Sequence, residues 1–297
     1  MNTYMQNALV PLAPVLANHQ RLVLSLRFRK ALGRRMEEPP LSFYDKLFWM
    51  STNTDTQLWS RLADKVQVRD YVAELCGSDV LTKLYALYDN ADAIDFDALP
   101  DCFAIKTNNG CGSNVLIRSK ADADLEAVRE SLRRWLKFPY GELTGQLHYA
   151  RITPQILAEE LLSQEGAEDK PLVDYKFYCF NGEPKYCYIV SERHFDYKHS
   201  HSRMLYDMDW NPLPHVFVEG RSLAYIDAPL CLSQMREVAS RLSKDIPFVR
   251  VDLYEVNGRV KFSELTFLPG MDPGYTNEFQ RALGELISIP VEAALTC

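Results

Sequence analysis

A chain of 297 residues, 47% apolar and 25% charged, is long enough for two or three lobes around a cleft. Its make-up is that of a folded protein, which sets aside disorder and low complexity. The net charge of -7 argues against a general nucleic-acid binder, because a basic surface supplies most of that affinity.

In chain order, the first 36 residues carry Arg21, Arg27, Arg29, Lys30, Arg34 and Arg35 and no acid, a local +6 against -13 for the remainder. Residues 1–40 are therefore expected to form a basic helical leader. It is either a solvated helix or a contact, through residues 21–35, for an anionic substrate or the membrane surface. The apolar stretch 8–17 contains Pro11 and Pro14 and is too short to span a bilayer. Its cations follow it and Asn18-His19-Gln20 is a poor cleavage site, so no secretory signal is expected. The seven cysteines, at 76, 102, 111, 179, 187, 231 and 297, lack any Cys-x-x-Cys pair. That favours reduced thiols in a cytoplasmic setting over disulfides or a zinc ribbon.

Glu37-Glu38-Pro39-Pro40 leads into a helical region, 41–100. There Phe43, Leu47 and Met50 recur at helical spacing and Ser42 is the expected N-cap. Residues 61–76 predict a second helix, and Asp95-Phe96-Asp97-Ala98-Leu99-Pro100 a turn into a strand. Strands at 102–106 and 114–118 flank a polar loop, and a helix is expected over 122–136. The apolar run 155–162 contains two acids, Glu159 and Glu160. Strands at 173–180 and 184–191 flank Asn181-Gly182, a hairpin signal. A helix at 229–244 precedes a second hairpin, 248–254 and 260–267, turning at Asn257-Gly258. Hairpins interleaved with helices predict an α+β fold of mostly antiparallel sheets, with a central lobe at 101–162 and a C-terminal lobe at 163–297.

Three segments carry candidate chemistry. Lys106 ends a strand and precedes Thr107-Asn108-Asn109-Gly110-Cys111-Gly112-Ser113-Asn114. A point charge and loop N–H groups suit phosphates, although two glycines in a polar loop often make only a turn, and no Walker motif is present. Glu159 and Glu160 can accept from an adenine amino group or ribose hydroxyls, with the Leu161 and Leu162 backbone reading the purine edge; the plainer alternative is a strand running into a loop. In the last hairpin, register decides the meaning. A two-residue turn at Asn257-Gly258 pairs Val256 with Arg259 and puts Asp252 and Glu264 on opposite faces. A three-residue loop with Gly258 left-handed pairs Glu255 with Arg259 and brings Arg250, Asp252 and Glu264 to one face. The bulged register is the one expected. Two carboxylates and an arginine sharing a face suit Mg²⁺ and a phosphate or carboxylate, against the alternative of an exposed cross-strand ion pair.

His194, His199, His201 and His215, near Asp196 and Asp207, make a zinc site conceivable. Loop histidines without a wider ligand pattern read instead as surface or substrate-facing, so 191–209 is expected to bind substrate. Cys111 is expected to be a bystander thiol.

In the order lysine–Gly loop, Glu-Glu strand and Arg-x-Asp…Glu, the chain resembles the ATP-grasp superfamily, and its last segment is similar to the metal-binding strands of D-alanine–D-alanine ligases. More closely, residues from about 40 to 287 resemble the TupA-like branch, named for teichuronopeptide biosynthesis. The likeness runs through Ala63-Asp64-Lys65-Val66-Gln67-Val68-Arg69-Asp70-Tyr71-Val72, Ile94-Asp95-Phe96-Asp97-Ala98-Leu99-Pro100, Asp174-Tyr175-Lys176-Phe177-Tyr178-Cys179-Phe180-Asn181-Gly182 and Asp207-Met208-Asp209-Trp210-Asn211. The resemblance implies an ATP-grasp fold, two α+β lobes clamping ATP, with ATP and Mg²⁺ as cofactors. It implies Lys106 on the phosphates under a loop including Thr107, Asn108, Gly110, Gly112 and Ser113. It sets Glu159, Glu160, Leu161 and Leu162 around adenine and ribose, and makes Lys176 a further nucleotide contact. Asp252, Glu264 and Thr266 are the implied metal ligands, and Arg250 joins Lys106 as a catalytic cation. Thr266 departs from the Asn that many relatives carry, which bears on a second metal ion. Lys65 matches a family position at a helix start.

The implied activity is an ATP-dependent carboxylate–amine ligase acting through an acyl phosphate. It joins an amino acid to a uronic-acid sugar in capsular or cell-surface polysaccharide biosynthesis. A kinase acting on a hydroxyl is the alternative, and a glycosyltransferase or a non-catalytic scaffold stands further off.

Overall fold

The computed structural model describes residues 10–166, 170–191, 202–220, 222–270 and 274–289. In chain order the helices are α1 (Ala13–Ala17), α2 (Gln20–Leu32), α3 (Phe43–Asn53), α4 (Gln57–Ala63), α5 (Val68–Cys76), α6 (Leu125–Leu136), α7 (Tyr140–Thr144), α8 (Leu147–Ala150), α9 (Leu232–Leu242) and α10 (Asn277–Glu285). The strands are β1 (Leu84–Tyr88), β2 (Phe103–Thr107), β3 (Asn114–Ile117), β4 (Ile156–Glu159), β5 (Asp174–Phe180), β6 (Glu183–Ser191), β7 (Ser202–Asp207), β8 (Val249–Val256) and β9 (Arg259–Thr266). The chain divides into two compact units. One holds residues 1–27, 55–71 and 82–162, and the other holds 28–54, 72–81 and 163–297. Both are α+β.

The first unit is built on an antiparallel sheet ordered β1-β4-β2-β3. Phe103, Ile105, Ile117, Ile156 and Ala158 form its core with Val128 and Leu132 of α6. Helix α6 forms because Asp124 caps it, accepting from the Ala127 N–H at 2.9 Å, and because Val128 and Leu132 recur four apart on one side. All four residues of β4 are buried, so Glu159 enters the interior with the apolar run that precedes it.

The second unit carries a five-stranded antiparallel sheet ordered β7-β6-β5-β8-β9. One face of β8, Val249, Val251 and Leu253, is fully buried. Helix α9 lies on that side, where the Cys179 thiol, opposite Val249, sits 3.8 Å from the Ala239 carbonyl. The other face carries Lys176 and Tyr178 of β5 opposite Asp252 and Arg250 of β8. Phe43, at the start of α3, stacks on Tyr178 with ring centroids 5.8 Å apart. Helix α3 starts where Ser42 and Asp45 cap each other in a capping box, as Ser42 led one to expect. Arg34 then closes on Asp45 through two hydrogen bonds of 3.0 and 3.2 Å.

Asn181 and Gly182, and again Asn257 and Gly258, all have positive φ, the geometry of a two-residue hairpin turn. The second of these corrects the sequence reading. Val256 pairs with Arg259, so the turn has two residues, not three. The bulge lies inside the ladder instead. Leu253 pairs with Phe262 and Asp252 with Glu264, leaving Ser263 as an extra residue. One inserted residue reverses the side-chain alternation beyond it. Glu264 is thereby returned to the face of Asp252, directly opposite it and not diagonal.

Candidate functional site

In the first unit, Glu159 of β4 is paired with Ala104 of β2, so Lys106 is its diagonal neighbour on the same face. The Lys106 ammonium meets one oxygen of the Glu159 carboxylate. The Thr82 hydroxyl donates to the other at 2.8 Å, and the Arg69 guanidinium lies 3.7 Å from it. Arg69 in turn donates to the Thr82 carbonyl at 2.6 Å. Burial on its own raises the Glu159 carboxyl, but Lys106, Thr82 and Arg69 together outweigh it and hold the group below the usual carboxylate range. Lys106 is thus anchored. Glu159, expected on adenine or ribose, is the hub of an internal network in this structure. Glu160 is the outer of the two acids, accepting from the Lys83 N–H at 3.2 Å while its own N–H donates to the Lys83 carbonyl at 2.8 Å. Leu161 and Leu162 follow, half-buried and outside any strand.

The loop after Lys106 is closed at its neck by Thr107, whose hydroxyl donates to the Ser113 hydroxyl at 2.7 Å and whose N–H donates to the Ser113 carbonyl. Asn108 is fully buried. Its amide donates to Asp64 and to the Thr153 carbonyl, both at 3.0 Å. Its side-chain oxygen accepts from the Gln155 N–H, and its own N–H donates to the Gln155 carbonyl. All its donors have partners, so in this structure Asn108 serves as the base of the loop. Lys65 holds the far side, donating to the Gly110 carbonyl at 2.5 Å. A Cβ on Gly110 would lie 3.2 Å from the Tyr140 ring, so this glycine permits close packing. Gly112 has φ +76° and, with Cys111, forms the exposed tip.

In the second unit, the β8–β9 ladder collects a charged cluster. Arg250 donates through Nε and Nη2 to the two Asp252 oxygens, both at 2.6 Å. The same Nη2 donates to Glu264 at 3.2 Å and to the Thr266 hydroxyl at 3.0 Å. Lys176 donates to Asp252 at 2.5 Å and lies 3.6 Å from Asp174. Burial opposes the Arg250 charge, yet Asp252 and Glu264 outweigh it and keep the guanidinium firmly protonated. Asp252 is 1% exposed, and three of its four acceptor positions hold charged donors. Glu264 is the more open carboxylate, its side chain 29% exposed.

Asp252, Glu264 and Thr266 give a hard cation two carboxylates and a hydroxyl on neighbouring strands. That set fits Mg²⁺, which completes its shell with water and phosphate oxygens. Arg250 Nη2 touches all three groups and so stands in the cation's place. Among the described residues, no three His, Cys, Asp or Glu side chains gather as a metal cluster. His194, His199, His201, Asp196 and most of the segment expected to bind substrate lie outside the described residues, while His215 falls in a short 3-10 turn. No helix among the described residues is long and apolar enough to cross a membrane.

Sequence reading missed Arg69, Thr82 and Asp64 as partners of this machinery. Arg69 and Asp64 lie within the Ala63-to-Val72 string, but only tertiary structure brings them to Glu159 and Asn108.

The family model described as TupA-like ATPgrasp matches residues 45–288. No curated protein matches the chain. Among solved structures it is similar to the Bacillus anthracis D-alanine–D-alanine ligase complexed with ATP, at 14% identity and TM-score 0.47, covering 79% of this chain and 66% of that one. It is also similar to an ADP complex of N5-carboxyaminoimidazole ribonucleotide synthetase (16%, TM-score 0.45, 76% and 51%). A third is the ATP-grasp ligase PsnB complexed with minimal precursor, Mg and ADP (13%, TM-score 0.42, 84% and 65%). The chain spans less than two thirds of each of these proteins' own length.

Proposed function

The chain belongs to the TupA-like ATP-grasp family, and from that premise we propose that it is an ATP-dependent carboxylate–amine ligase working through an acyl phosphate. The observation that carries the reading is the one-face array of Arg250, Asp252, Glu264 and Thr266 with Lys176 beside it. An exposed ion pair needs no such convergence of three oxygen acceptors on one cationic nitrogen.

In this reading Lys106, fixed by Glu159, neutralises ATP phosphate, and the Cys111–Gly112 tip with Ser113 covers it. Glu160 and the backbone of Leu161 and Leu162 take the adenine or ribose. Lys176 serves as a second nucleotide contact. Asp252, Glu264 and Thr266 would hold Mg²⁺, which when bound draws charge off the phosphates. Arg250 faces the transferred phosphoryl group or the substrate carboxylate. A carboxylate oxygen attacks the γ-phosphorus as the bond to the ADP oxygen breaks. The amine then attacks the acyl carbon, phosphate leaves with its oxygen, and the nitrogen loses a proton. The side chains supply position and charge, with no protein nucleophile required.

For substrates we propose an amino acid as the amine and a uronic-acid sugar of a capsular or cell-surface polysaccharide as the acid, in keeping with the pathway after which the family is named. A need for ATP fits the cytoplasm. The test replaces the amine with hydroxylamine and supplies uronic acids with MgATP. The expected result is ADP and a hydroxamate, each dependent on the acid. A phosphate ester as the final product would make the protein a kinase, and UDP-sugar turnover without ATP a glycosyltransferase.

A further inference from the structure

Helix α2 shows two contrasting sides. Gln20, Leu24 and Phe28, four residues apart, are buried along one seam, and Leu24 packs against Gly145, where a Cβ would lie 2.6 Å from its branch carbon. At 100° per residue the opposite side carries Leu22, Leu26, Arg29 and Lys30. Leu22 and Leu26 are 55% and 59% exposed, and Leu12 and Val15 just before them are 48% and 58% exposed. Of the ten exposed large hydrophobics among the described residues, these four fall within residues 12–26. Single exposed leucines need no explanation, but a cluster does. Arg29 and Lys30 follow on the next turn of the same side and are exposed. Two neighbouring cations do not share that position, since Arg27 donates to the Thr144 carbonyl and Arg34 is held by Asp45.

We infer that this face of α2 docks onto the surface of an anionic lipid bilayer, with Leu22 and Leu26 entering the headgroup–acyl boundary and Arg29 and Lys30 pairing with lipid phosphates. Charge and apolarity select this occupant together. A soluble polyanion would satisfy the cations and leave the leucines in water. A second copy of the helix would cover the leucines but bring like charges together. Residues 1–36 carry +6 and no acid in a chain of net charge -7; the remaining negative charge disfavours contact elsewhere with the same membrane. The inference stands apart from the ligase reading, since α2 carries none of the proposed nucleotide or metal residues.

The test sediments the full chain with vesicles of phosphatidylcholine alone or mixed equally with phosphatidylglycerol. Binding is expected only to the anionic vesicles and is expected to weaken as salt is raised. Leu22→Glu/Leu26→Glu and Arg29→Glu/Lys30→Glu should each weaken it roughly tenfold or more, with unfolding temperatures unchanged because all four side chains are exposed. Absence of binding at low salt, or binding retained by both double variants, overturns the proposal. So does a wild-type dimer in light scattering that Leu22→Glu/Leu26→Glu dissociates, which would assign the face to a second copy.

Discussion

Arg250 Nη2 lies 2.6 Å from Asp252, 3.2 Å from Glu264 and 3.0 Å from Thr266, the three groups proposed to hold a metal ion. A cation entering there must meet the guanidinium charge or displace it. Even with the screening of bulk water, two like charges about 4 Å apart repel by ~1 kcal/mol, and burial makes this a lower bound. Arg250→Ala is therefore expected to bind Mn²⁺ at least about fivefold more tightly than the wild type in the absence of nucleotide, as read by electron paramagnetic resonance. Weaker binding in that variant would show that Arg250 supports the metal site and does not occupy it. Glu159 makes the matching case in the other unit. Its folded carboxyl lies below its usual value of 4.5, so its charge contributes stability that is fully present above that value. The contribution is lost as pH falls through the lower, folded pKa. Removing one partner of a buried charged network costs about 3 kcal/mol or more. Glu159→Gln should show that deficit in urea unfolding near pH 7, and the gap to wild type should narrow progressively as pH falls below 4.5. A gap that persists at low pH would mean that the carboxylate's charge is not what holds Lys106.

At the scale of elements, the parts of the fold that announce themselves locally were legible. Ser42 stands before an apolar helical pattern, and Asn181-Gly182 and Asn257-Gly258 supply the positive φ their turns require. Ser263 was not legible. Nothing in Phe262-Ser263-Glu264 marks a bulge, because the residue fits a regular strand equally well and the pairing is decided by which side chains must face inward. The sequence reading reached the correct face for Glu264 by putting the extra residue in the wrong place. The burial of Asn108 was illegible for a related reason, since a polar residue in a glycine loop looks solvent-facing until Asp64 and Gln155 are folded against it. The bulge makes a sharp prediction. Deleting Ser263 leaves a regular ladder with Glu264 still opposite Asp252, so Mn²⁺ affinity should stay within about threefold. Inserting one alanine after Ser263 lets the strand alternate regularly but moves Glu264 two positions along, opposite Arg250 instead of Asp252, and should weaken binding well beyond that. Equal affinity in the deletion and insertion variants would remove the ladder from the account of the site.

For the whole molecule, the two proposed surfaces are separable, and stability measures the separation. A ligand that binds only the folded chain stabilises it by RT ln(1 + [L]/Kd), or ~2.7 kcal/mol at a hundred times Kd. For a chain of this size that corresponds to a rise of about 5 °C in Tm. Mg²⁺ with a non-hydrolysable ATP analogue is expected to produce such a rise in calorimetry. Lys106→Ala should lose most of it, because the ammonium proposed to meet the phosphates is gone while Thr82 and Arg69 still satisfy Glu159. Leu22→Glu/Leu26→Glu should keep the full rise, because α2 shares no residue with the nucleotide site. An undiminished rise in Lys106→Ala would remove that lysine from the site. No rise in the wild type would remove the nucleotide reading itself, and the bilayer contact of α2 would still stand or fall on its own vesicle measurement.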